Sequence, residues 1–412
     1  MKKFLIGLFA IGLVFAFTMP VYAFDSDFGG YWRTRAYKDR DFNGTDTGAR
    51  DVTQTDMRTR LYYTAVFSDN FKFVNKFEYN VTWGDTVGGD IGADGMGIFR
   101  IKNSYADFNL ASFNFKVGIQ GGEIHRGFFF SDDFSGVVAT YKGDGISVPF
   151  MWIKAYEGGM GDEANDNDFD YYVVAPSFKV GDAMTLKPTL VYMYSKDANK
   201  WASTAGFDTV KIYNIGLDAD VKLDMGSLWF TGIYQGGDVE MPVTGDTIDA
   251  SAWLVALGGT VKAGAADIHG QVFYATGDDA DTDDEFEAFY VPRGRSYYWS
   301  EIMGFGVFDN QVSSGSCADQ ISNIMAANIG VGFKASADLK ISADLWYAKL
   351  VEKDANDEDA LGTEIDLKVT YKVLENLNLD IIAAYLFAGE ATYDGDDSEN
   401  PMELGTRLSF SF

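Results

Sequence analysis

Cysteine is nearly absent. Cys317 stands alone in 412 residues, which excludes an internal disulfide and any cysteine-based metal site. It reads as a lone loop thiol, or as one that pairs between chains. Histidine is almost as scarce, with only His125 and His269. No Gly-x-Ser-x-Gly surrounds a serine, and no His-Glu-x-x-His, phosphate loop or dinucleotide fingerprint occurs. The chain therefore reads as no enzyme. It receives no cofactor, no catalytic residue and no metal ligand. Basic residues number 33 against 61 acidic ones, and the resulting charge of -28 excludes nucleic acid as a partner. After the N-terminus no apolar run approaches the roughly 20 residues a membrane helix needs. Proline is sparse, at 7 residues, so little interrupts extended strands.

What is present begins with residues 1–23. Lys2 and Lys3 precede the apolar stretch Phe4 to Phe17, and Val21-Tyr22-Ala23 fits a small-x-small cleavage site. This is the pattern of a signal peptide, so the mature chain is expected to begin near Phe24 and to be exported. Residues 24–412 show no linker and read as one domain.

The stretch Met402 to Phe412 organises the rest. Leu404, Leu408, Phe410 and Phe412 fall on one side, and Glu403, Gly405, Arg407, Ser409 and Ser411 on the other. A terminal strand of this kind needs an apolar solvent on one face and a partner for its free edge. A closed membrane barrel supplies both. Earlier segments alternate in the same way: Leu61, Tyr63 and Ala65 against Arg58, Arg60 and Tyr62, or Ile215, Leu217 and Ala219 against Asn214, Asp218 and Asp220. Ile146 to Tyr156 is apolar on both faces for part of its length. Connections also alternate. Very short turns, such as Ser68-Asp69-Asn70 and Gly143-Asp144-Gly145, take turns with long polar ones at 39–53, 84–97, 121–136, 158–168, 196–208, 237–249, 277–325, 351–361 and 389–401. The prediction is an all-β transmembrane antiparallel barrel of 16–18 strands, with short periplasmic turns and long extracellular loops, in the outer membrane of a Gram-negative bacterium.

If lipid takes the apolar faces, the charged faces line the interior. A dry interior could not hold Arg33, Arg35, Arg58, Arg60, Lys72, Lys76, Arg100 and Lys102 together, because each unpaired buried charge costs several kcal/mol. The interior is therefore expected to contain water and to form a pore. Closure brings Arg407 to this basic wall. Asp218, Asp220, Asp344, Glu364, Asp366 and Asp380 form an acidic wall opposite. The segment 121–136 carries Phe128, Phe129 and Phe130 and is too apolar to lie in water. Folded inward, it would set Glu123, Asp132 and Asp133 against the basic wall. The other reading is an aromatic girdle or a subunit contact.

The mature chain resembles Gram-negative general porins. The carriers are the signal peptide, the strand Phe113 to Gln120 leading into the third loop, and the terminal Phe412. Phe28 to Arg35 with Thr55 to Leu61 are similar to homotrimeric porins of sulfate-reducing bacteria and, more distantly, to alginate-export barrels. The resemblance implies a homotrimer, a constriction by the third loop, and recognition of Phe412 by the barrel assembly machinery. The implied function is passive diffusion of ions and small hydrophilic solutes, with membrane lipid and lipopolysaccharide as surroundings. The loop 277–325 is longer than in compact porins. Its Arg293, Arg295, Tyr297, Tyr298 and Trp299 could stack on sugar rings or clamp a carboxylate, or could pack the loop onto itself or a neighbour. A substrate-selective barrel for sugars or carboxylates, and a structural or adhesive barrel, stand as alternatives. The acidic run 278–285 lacks the mid-loop glycine of a calcium loop. Such acidic loops would gather divalent cations near lipopolysaccharide.

Overall fold

The computed structural model describes residues 24–42, 51–84, 97–158, 168–195, 209–240, 245–279, 285–292, 297–309, 321–392 and 399–412. The expected signal peptide, Arg293, Arg295 and Cys317 lie outside them.

Alternation becomes eighteen antiparallel strands. They are β1 (Asp25–Arg40), β2 (Val52–Ser68), β3 (Phe71–Thr82), β4 (Ile98–Leu110), β5 (Phe113–Ile124), β6 (Phe130–Gly143), β7 (Ile146–Tyr156), β8 (Phe169–Val174 continued by Ser177–Val180), β9 (Met184–Ser195), β10 (Thr209–Leu223), β11 (Gly226–Glu240), β12 (Thr247–Ala263), β13 (Ala266–Ala275), β14 (Ile324–Lys334), β15 (Leu339–Leu350), β16 (Ala360–Leu374), β17 (Leu377–Ala388) and β18 (Met402–Ser411). The break in β8 falls at Ala175-Pro176, where proline has no N–H to give the ladder. Each strand pairs with its neighbours in sequence, and β1 pairs with β18 from Tyr31↔Ser411 to Arg40↔Met402. The seam ends on reciprocal bonds, Gly30 N to Phe412 O at 2.8 Å and Phe412 N to Gly30 O at 3.2 Å. The terminal strand thus loses its free edge, as its composition predicts.

Lipid-facing positions follow the alternation. Leu61, Ile215, Leu257 and Ile329 are exposed, while Arg33, Arg35, Asp218 and Glu364 point inward and are buried. Aromatic contacts such as Phe67–Phe71 and Phe113–Tyr141 lie at the short-turn end.

One expectation about the interior needs correction. The lumen is water-accommodating only along part of its wall. Inward positions of β7 to β15 include Ile153, Met193, Ile212, Ile233, Leu254 and Phe273, all buried in one apolar cluster. Two loops fold in and cover them. Where a strand is apolar on both faces, as in Ile146–Tyr156, one face meets lipid and the other meets a loop. Period-two reading cannot separate the two, because both neighbours are apolar.

Candidate functional site

The basic wall forms as the sequence indicates. Arg33 and Arg35 of β1 lie in register with Arg58 and Asp56 of β2, and Arg58 and Arg60 with Asn80 and Glu78 of β3. Most of these cations acquire acids. Arg35 Nη2 meets Asp56 Oδ2 at 2.6 Å, Arg60 Nε meets Glu78 Oε2 at 2.7 Å, and Arg407 Nη2 meets Asp380 Oδ2 at 2.6 Å. Arg33 Nη2 and Arg35 Nη1 converge on Asp309 Oδ2, at 3.0 and 2.9 Å. Arg58 is answered less closely: its Nε donates to Asn80 Oδ1 at 2.7 Å and lies 3.6 Å from Glu78 Oε2, an acid it shares with Arg60. Arg100 is exposed to the lumen and makes no ion pair among them.

Asp309 belongs to the seventh loop, which plugs the barrel from above. Phe289, Tyr290, Ile302, Met303 and Phe308 are buried within the lumen. The tip sits on Glu364 of β16, whose carboxylate accepts Ile302 N at 2.7 Å, Met303 N at 2.9 Å and Ser300 Oγ at 3.0 Å. Glu301 N donates to Asp366, and Arg35 Nη1 donates to Val307 O at 2.8 Å. Loop seven therefore bridges the acidic and basic walls. Of the acids read as an open wall, Glu364 and Asp366 are its anchor points.

The third loop enters separately. The ladder between β4 and β5 stops at Ser104↔Ile119, and that between β6 and β7 starts at Ser135↔Lys154. Between those points β5 and β6 pair only with each other and leave the wall as a hairpin. Gly118 stands at the exit with φ +131, where a Cβ would lie 2.3 Å from Ser104 O. At the tip, Arg126 Nη2 reaches Asp220 Oδ1 at 2.7 Å and its guanidinium lies over Trp229. His125 Nδ1 lies 3.2 Å from Asp218 Oδ2, in space that a side chain at Gly216 would fill. Phe128 stacks on Tyr297 of loop seven at 3.8 Å, so the two loops meet inside the barrel.

Among the cavities beside the loops, two lie on the basic wall. One, of about 530 Å³, is lined by Arg33, Arg58, Arg60, Lys368, Arg407 and the loop residue Tyr298, among others. The other, of about 390 Å³, is lined by Arg58, Arg100, Asn80 and Gln54, among others. Arg33 and Arg58 stand in both.

The remaining sequence candidates scatter. Lys102 pairs with Asp133 at 2.5 Å, with Asn103 Nδ2 on the same carboxylate at 2.7 Å, so this part of the third loop does face the basic wall. Asp132 is exposed and accepts the N–H of Asp133. Glu123 is exposed, shares the hairpin face of Asp133 rather than that of Asp132, and makes no ion pair among the described residues. Lys72 and Lys76 sit lower on the wall, Lys76 over the Tyr62 ring at 5.1 Å. Sequence reasoning missed Asp56, Glu78, Asp309 and Arg126. The first two could be found by register, since each stands one strand over from its arginine. Asp309 could not, because nothing local ties it to β1.

A match to the alginate export family model spans residues 135–404, more than half of the chain. The chain belongs to the alginate export family. Solved barrels of Pseudomonas aeruginosa share the fold. OpdL matches with a TM-score of 0.63 at 12% identity, covering 94% of this chain and 99% of that one. OpdK with vanillate matches at 0.60 and 11%, covering 94% and 98%. OccK11 (OpdR) matches at 0.60 and 11%, covering 94% and 95%. No curated protein matches in sequence. This family member is an outer-membrane channel of a Gram-negative bacterium.

The seat of loop seven titrates from both ends. Burial disfavours the Asp309 carboxylate, but Arg35 and Arg33 outweigh it and hold the group below its ordinary 3.8. Burial pushes Glu301 above its ordinary 4.5, only partly offset by the N–H of Val307. The Asp309 contribution is present above pH 3.8 and is lost as pH falls through the lower docked value. The Glu301 contribution is present below pH 4.5 and is lost as pH rises through the raised docked value. Single-channel conductance is expected to be lowest between these limits and to rise, with more flicker, on either side. A pH titration of bilayer currents checks this.

Proposed function

We propose that this barrel is a selective channel for anionic solutes of the small carboxylate or acidic-sugar class, passing them by diffusion. The supporting observation is that the lumen left open beside the two loops runs past Arg100, which makes no ion pair among the described residues, and Arg58, whose one acid, Glu78, lies 3.6 Å away and is shared with Arg60. A solute carboxylate there would meet Arg58 bidentately and could set a ring against the exposed Tyr298. A general porin would need a wide, watered lumen, and the buried cluster under loops three and seven speaks against one. Alginate, which names the family, and vanillate, bound by OpdK, are both carboxylates and agree with this reading.

The test is conductance block. Glucuronate or benzoate added to open channels should reduce current saturably. Replacing Arg58 and Arg100 together by alanine should weaken that block by about tenfold, the effect of one lost charge-assisted contact. Block by uncharged glucose of equal strength would reject the reading, and the absence of any current would favour an occluded structural barrel.

A further inference from the structure

The third-loop hairpin leaves a fork in the wall. β6 pairs with β7 from Gly143↔Ile146 up to Ser135↔Lys154. Above that point Phe130 to Phe134 pair only with β5, while β7 runs on beside β8 to Tyr156↔Phe169. One edge of β6 therefore loses its strand partner, and a wedge opens between β6 and β7. A cavity of about 260 Å³ occupies this wedge, lined by Phe130, Asp132, Phe134, Ile153, Lys154 and Tyr171, among others.

Period two explains the lining. Phe130, Asp132 and Phe134 fall on one face of β6, so the acid stands between two aromatic rings. Both rings are buried and meet edge to face, 5.8 Å apart at 65°. Phe134 lies over Gly122, directly across from Asp132, where a Cβ would come within 2.7 Å of the ring. Ile153 of β7 and Tyr171 of β8, also buried, line the other side. Asp132 is exposed and forms no ion pair among the described residues. Its Oδ1 accepts the N–H of Asp133 at 2.7 Å, which leaves Oδ2 to the mouth of the wedge.

The other charges here are already engaged. Lys154, the one cation of the lining, has its ammonium held by Glu157, Asp168 and Asp170. Asp133 is taken by Lys102. Asp132 thus leaves the wedge with an excess of negative charge.

We infer that this wedge is a binding site for small methylated ammonium cations, of the size of tetramethylammonium or choline. The charge asks for a cation, and the rings decide which kind. A primary ammonium brings three N–H donors, and beyond the open carboxylate this lining offers them little but hydrocarbon. A quaternary ammonium brings none, and its methyl groups meet ring faces through cation–π attraction. Asp132 shares the inward parity of buried Phe134, so the ligand arrives dissolved, from the water beside the hairpin, rather than from lipid. The site is separate from Arg58 and Arg100 and does not depend on the anion reading of the lumen.

The test titrates choline chloride and tetramethylammonium chloride into the folded full-length barrel in a maltoside detergent, read by saturation-transfer NMR. Both should bind saturably. Dimethylbutanol, the uncharged carbon isostere of choline, should bind at least about tenfold more weakly. Asp132→Asn should weaken choline binding by at least about fivefold. Phe134→Leu should weaken it by about fivefold, the loss of one desolvated ring contact. Asp132 is exposed, so Asp132→Asn leaves the fold intact, and thermal unfolding in detergent checks both variants. Phe130→Leu serves as the ring variant if Phe134→Leu does not fold. Absence of saturable binding, or equal binding of the alcohol, overturns the site. Binding lowered by Asp132→Asn but unchanged in the ring variant identifies a counter-ion at a surface acid and overturns it as well.

Discussion

Replacing residues 288–309 with a short Gly/Ser linker should raise single-channel conductance several-fold. The segment carries Phe289, Tyr290, Trp299, Ile302, Met303 and Phe308, all buried inside the barrel, and its removal returns that space to water. It also takes away Asp309, the acid shared by Arg33 and Arg35, so two more cations would face the lumen. Anion preference should therefore increase along with conductance. Stability should fall, because inward Phe273, Ile324, Trp346 and Leu386 lose their cover, at about 25 cal/mol for each Å² of apolar surface exposed. Planar-bilayer recordings and thermal unfolding in detergent check both halves. Unchanged conductance would mean that the loop does not obstruct the path.

A single substitution should produce much of the same opening. Glu364 is fully buried and accepts from Ser300 Oγ, Ile302 N and Met303 N. Glu364→Ala leaves those donors without an acceptor, and each unsatisfied buried donor costs about 1–3 kcal/mol. The tip of loop seven should lose on the order of 3 kcal/mol or more of its seat. Recordings should then show transitions between the wild-type level and a larger one. Glu364→Gln keeps one carbonyl acceptor in place and should give a milder version. Quiet wild-type currents from Glu364→Ala would show that the carboxylate is not the anchor.

The wall of this barrel was legible in the sequence, and its contents were not. Alternation, the short-and-long rhythm of connections and the aromatic C-terminus lead to strands, orientation and the β1–β18 seam. The basic wall follows from parity alone, which is why Arg33, Arg35, Arg58 and Arg60 fall where expected. Apolar inward positions such as Ile212 and Leu254 carry no sign of which side they face, since lipid and a buried loop ask for the same residues. The pairing of Asp309 with Arg33 and Arg35 spans more than 270 positions and depends on how loop seven turns, so no spacing rule reaches it. The inward course of the third loop was partly readable from its three adjacent phenylalanines. Leaving the wall as a hairpin gives the segment two faces of its own, and Glu123 and Asp133 share the one on which Asp133 meets Lys102.

The most direct measurement is the reversal potential of the wild-type channel under a potassium chloride gradient, compared with Arg58→Glu. The account predicts a potential of the sign set by chloride for the wild type, moving toward or past zero in Arg58→Glu. A wild-type potential set by potassium, or one that Arg58→Glu leaves unchanged, would contradict it.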